Sequence, residues 1–110
     1  MSDQAQQQPV VIRIPGPRVR LAEHESLREE MLESIGEGSV SIVLNFEEVE
    51  FADSSFLGLL IIVLKRATAN GGDVRICRLQ PPLAKIFELM RLHRLFQIYE
   101  TEQEAVESFQ

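Results

Sequence analysis

A chain of 110 residues with 45% hydrophobic and 6% aromatic content suffices for one packed domain with a mainly aliphatic core. Its formal charge of −6 argues against a nucleic-acid partner, which needs a concentrated basic face, and against an anionic membrane surface. The single cysteine, Cys77, excludes an internal disulfide and suits a reducing cytosol; in its strand-like run it reads as a buried, inert thiol.

The opening Met1–Gln8 is polar and lacks the apolar core of a signal peptide, so residues 1–8 are expected as a disordered tail and 9–110 as a single domain. The longest apolar run, Phe56–Leu64, is nine residues, against the roughly 20 that span a bilayer. A cytoplasmic protein is expected. Val10–Ile14 is β-rich and ends at Pro15-Gly16-Pro17, which suits a type II turn. Arg18–Leu21 then reads as a return strand, making a hairpin. From Glu23 the pattern is helical: Leu27, Met31 and Ile35 fall four apart, Leu32 widens the stripe, and Glu29, Glu30, Glu33 and Glu37 form a solvated face. Gly36 and Gly38 stop this helix.

Val40, Ile42, Leu44 and Phe46 alternate on one face of a strand, with Val43 apolar on the other. Asp53 or Ser54 caps a helix running to about Asn70, closed by Gly71-Gly72, and Asp73–Leu79 is another strand. Strand, helix and strand in this order predict a right-handed parallel crossover. After Pro81-Pro82, Leu83, Ile86, Phe87 and Met90 mark a further helix; Phe96–Tyr99 is a short strand, and Thr101-Glu102-Gln103-Glu104 is a capping box opening a terminal helix. The expected fold is α/β: a mixed sheet of four to five strands with helices mostly on one face.

The junction Val49–Gly58 carries the chemistry. A carboxylate and two hydroxyls, Asp53, Ser54 and Ser55, stand where a strand gives way to an apolar helix. Short polar side chains there satisfy free N–H groups, and a phosphate is also well accommodated. A serine in this place can therefore act as a charge switch. Ser55, Leu59, Ile62 and Arg66 share one stripe of the helix, and Leu57, Leu60 and Leu64 share another. One stripe must face the sheet. Leu59, Ile62 or Val63 is left partly exposed for a partner, unless neighbouring elements cover them. Phe56, at the tip, is either a partner anchor or local core. A hydrolase would need Ser54 or Ser55 beside His24 or His93, and no spacing brings them together; no metal signature is present either.

Val43-Leu44-Asn45-Phe46 and Asp53-Ser54-Ser55-Phe56-Leu57-Gly58, with Lys65-Arg66-Ala67, Gly71-Gly72 and Leu92-His93-Arg94-Leu95-Phe96-Gln97-Ile98-Tyr99, resemble the STAS domain of bacterial anti-sigma factor antagonists over about residues 10–109. The resemblance implies a non-catalytic protein that binds an anti-sigma factor, a serine kinase carrying its own ATP, and so releases a sigma factor. It implies phosphorylation at Ser55, with Ser54 the fallback and Asp53 as cap and support; the partner surface expected from the helix pattern is Phe56, Leu59, Ile62, Val63 and Arg66. No cofactor is expected, and the protein would be a monomer or weak homodimer. The alternative is an unphosphorylated STAS scaffold in a sensory or transport complex.

The chain departs from the family pattern at three places. Phe56 replaces the glycine after the second serine, Arg91 replaces the glycine that usually ends the third helix, and Val19 or Arg20 stands where an aspartate is common. A cation at Arg20 would favour a phosphate on Ser55 or pair with Asp53.

Overall fold

The elements of the computed structural model, which describes residues 9–36 and 40–110, follow the apolar periodicities closely. They are β1 (Val10–Arg13), β2 (Arg18–Val19), a 3-10 turn (Leu21–Glu23), α1 (Glu25–Gly36), β3 (Ser41–Asn45), β4 (Phe51–Ala52) and α2 (Ser54–Ala69). After these come β5 (Asp73–Cys77), α3 (Pro81–Leu89), a second 3-10 turn (Leu92–Arg94), β6 (Gln97–Tyr99) and α4 (Glu102–Glu107). The tail 1–8, Glu37 and the helix stop at Gly38 lie outside the described residues.

The main sheet has the order β1-β3-β5-β6, and every pairing is parallel. The chain thus steps across the sheet in one direction, and right-handed crossovers place α1, α2 and α3 on the same face. Leu27 and Met31 of α1, Leu57, Leu60 and Val63 of α2, and Leu83 and Phe87 of α3 pack there against Ile42, Leu44, Val74 and Ile76. The other face carries a smaller cluster, in which Ala105 of α4 covers Val43 and Cys77, with Tyr99, Val106 and Phe109 around them. Arg75 pins α4 to this face: its guanidinium donates to the carbonyl and hydroxyl of Ser108 and lies 4.0 Å from the Phe109 ring centroid. The Thr101 hydroxyl caps α4 by accepting from the Glu104 N–H, as its capping box predicts. Among the described residues, no helix is long and apolar enough to cross a membrane.

The expected hairpin does not form, and with it goes the antiparallel pair that would have made the sheet mixed. β1 pairs with β3, while β2 pairs with β4 in a separate two-stranded ribbon, also parallel. The chain does not reverse at Pro15-Gly16-Pro17 but transfers from one partner to the next. Neither proline has an N–H, so the ladder is interrupted there and resumes when the Pro17 carbonyl accepts from Glu50 and Phe51. Gly16 lacks the positive φ of a type II turn. It is glycine for another reason: a Cβ at this position would fall on the carbonyl of Glu48.

Candidate functional site

The two-residue ribbon exists to aim one side chain. Ala52 ends β4, and the next N–H, that of Asp53, donates to the carbonyl of Val19 at 3.0 Å. Asp53 keeps an extended backbone, and its Oδ1 accepts from the Phe56 N–H at 2.9 Å, capping α2. The same oxygen accepts from the Leu21 N–H at 3.3 Å. One carboxylate thus ties the approach to α1 to the start of α2. Asp53→Ala removes both bonds and should cost about 1–2 kcal/mol. Thermal unfolding should show a Tm lowered by several degrees, with most of it restored in Asp53→Asn, whose amide oxygen also caps.

Because Asp53 takes the capping role, the hydroxyls of Ser54 and Ser55 are left over. Both serines are exposed in the first turn of α2, and neither side chain makes a hydrogen bond within the described residues. The reading of Phe56 as a partner anchor is corrected. The ring is 0% exposed and packs edge-on against Phe46, with centroids 6.4 Å apart. Leu59, at 3% exposure, and Val63, at 0%, are likewise buried rather than presented to a partner. Ile62 does remain open, at 48% exposure, and Arg66 is exposed one turn further on. Of the stripe expected to face a partner, the structure leaves Ser55, Ile62 and Arg66.

These three lie along a groove of about 350 Å³ between the two helices. Gly58 and Leu59 complete the α2 wall, and Leu21, Arg28 and Leu32 form the other. Arg28 was not legible as a site residue, because only the docking of α1 on α2 brings it to the serine. The cation expected there, Arg20, does not line the groove; it is exposed, and its carbonyl closes the 3-10 turn by accepting from Glu23. Neither Arg28 nor Arg66 forms an ion pair with a carboxylate among the described residues. A larger hollow of about 560 Å³ lies at the C-terminal ends of β3, β5 and β6, with Glu47, Glu88, Arg78 and His93 on its walls. It mixes both signs of charge and contains neither serine, so the chemistry favours the smaller groove.

Two further residues have plain structural roles. Cys77 is buried, and burial, seconded by Glu102, pushes its thiol up to about 11, so little thiolate forms near neutral pH. Arg91 has φ 60, the left-handed conformation that glycine adopts at low cost.

The fold and site together define a small parallel α/β interaction domain with two unused hydroxyls at the head of an apolar helix. The family model described as "STAS domain" matches residues 1–105, and the chain belongs to that family. It is 31% identical over 65 residues to the "Anti-sigma F factor antagonist" of Paenibacillus polymyxa, a match covering 59% of this chain and 56% of that protein. Among solved structures it is similar to an anti-sigma-factor antagonist (STAS) domain protein from Planctomyces limnophilus, with TM-score 0.83, 27% identity, and coverage of 96% of this chain and 92% of that one. It is also similar to the Bacillus cell fate determinant SpoIIAA in its phosphorylated form, with TM-score 0.72, 28% identity, and coverage of 91% and 89%.

Proposed function

We propose that this protein is a non-catalytic, cytoplasmic anti-sigma factor antagonist. Residues 9–110 act as one domain that binds an anti-sigma factor of the serine-kinase type and thereby releases a sigma factor. Phosphorylation of Ser55 by that kinase, using the kinase's own ATP, ends the interaction. The observation that carries the reading is the exposed, unbonded hydroxyl of Ser55 in the first turn of α2, beside a helix cap already supplied by Asp53. A phosphate there would gain the positive end of the helix dipole, which supports Ser55 as an acceptor. About two negative charges beside Ile62 and the apolar groove then oppose a partner that must desolvate them. The relatives named as anti-sigma factor antagonists, and the likeness to a SpoIIAA structure in phosphorylated form, support the same reading. An unphosphorylated scaffold docking through Phe56 loses its anchor to the core.

The test is the intact mass of the protein recovered from its native cells, with peptides mapped across residues 46–65. A species heavier by one phosphoryl group, localised to Ser55 and absent in Ser55→Ala, is expected. Protein that stays unmodified through growth and stress, or that carries the group only on Ser54, would sink the assignment.

A further inference from the structure

We infer that the groove between α1 and α2 receives an acidic, amphipathic helical segment of the partner, with Gly58 as its floor and Arg28 and Arg66 as its two charged ends. This rests on the reading above that α2 is the partner-binding helix, and it specifies the partner's chemistry.

The first observation is Gly58. A glycine inside a helix is unfavourable relative to alanine. Nothing within the fold demands this one: a Cβ added at Gly58 meets no atom within 4 Å, unlike those at Gly16 and Gly72. Gly58 lines the groove together with Leu59 and Ile62 of its own helix and Leu32 of the other. A missing side chain that the chain itself does not fill is room for a close approach from outside.

The second observation is charge. The chain carries 17 acidic and 11 basic side chains, yet both charged residues lining this groove are arginines. Neither is paired with a carboxylate among the described residues. Both helices cross between parallel strands and so run in the same direction. Arg28 and Ser55 line the same groove, each from the first turn of its helix. Arg66 lies 11 residues beyond Ser55, about 16 Å along the axis, at the other end. An apolar floor with one unpaired cation at each end matches a helix of two to three turns, apolar on one face with a carboxylate near each end. A phosphate on Ser55 is then a competitor built into the groove: it pairs with Arg28 and removes the cation that the partner's first carboxylate requires.

Short random peptides displayed on phage, panned on the wild-type protein with Gly58→Met as the counter-selection, test this. The enriched sequences should be acidic and amphipathic. A synthetic copy of the best should bind the wild type at least about 100-fold more tightly than Gly58→Met, whose Tm is unchanged or raised. Arg28→Glu and Arg66→Glu should each weaken it about tenfold or more, and protein carrying phosphoserine at position 55 should resemble Arg28→Glu. Neutral or basic winners, equal binding to Gly58→Met, or no enrichment would overturn the inference. So would a dimer of the wild type that Gly58→Met abolishes, since the groove would then hold a second copy of this chain. The two readings fail separately: unmodified Ser55 in cells leaves the peptide result standing, whereas a phosphoswitch indifferent to Gly58→Met and to both arginines defeats only the groove.

Discussion

Phe56→Ala is expected to cost about 3–5 kcal/mol, a large part of the roughly 5–15 kcal/mol that holds a domain of this kind together. The ring is wholly buried at the start of α2, edge-on to Phe46, which in turn packs edge-on against Phe87 at 6.2 Å. Truncation removes the apolar transfer energy and leaves a cavity that the flanking rings, held between sheet and helices, cannot collapse into. Urea unfolding should show a much lower midpoint with an unchanged slope, and Phe56→Leu should recover a good part of the loss. Stability close to the wild type in Phe56→Ala would mean that the ring is not part of the core. Any loss of partner binding in Phe56 variants should accordingly be traced to unfolding before it is assigned to the interface.

Gly16→Ala should be as damaging for a different reason. The added methyl falls on the carbonyl of Glu48, a backbone group that cannot swing aside as a side-chain tip would. The loop is held from both sides, by Val49 buried in the core and by the Glu50 N–H bonded to the Pro17 carbonyl at 2.7 Å. Relief of the clash therefore separates β2 from β4. The expected loss lies at or above the upper end of the about 1–3 kcal/mol typical of overpacking. Amide exchange should accelerate at Glu50, Phe51 and Asp53, whose N–H groups bond across this junction. Because Asp53 is aimed by the ribbon, the order of the first turn of α2 around Ser55 should fall with it. Unchanged exchange at these three amides would show that the ribbon does not support the site.

The legible parts of this protein are those written in local pattern. Four-residue spacing in α1, alternation in β3, the Asp53 cap, the Thr101 capping box and the glycines closing α2 all depend on neighbours in sequence, and all form where expected. The exposed serine pair is local in the same way, since a helix start with a carboxylate cap leaves the next two side chains outside. The partners of β1 and β2 were not legible, because a parallel ladder joins residues about 30 apart, and the prolines that suggest a turn serve equally well to shift a strand between partners. The fate of Phe56, Leu59 and Val63 was equally hidden. An apolar helix with two rich stripes does not reveal which one the neighbouring helix will cover.

By itself, then, the sequence determined the order of the main elements (though not the short strand β4), the α/β class and the position of the two serines, because hydrogen-bond capping and apolar period act over a few residues. Only the tertiary structure decided that Leu59 and Val63 are buried, that Phe56 turns inward, and that Arg28 rather than Arg20 shares the groove with Ser55. Those outcomes follow from how one helix packs on another, and burial and charge proximity between distant segments exist only once that packing is made.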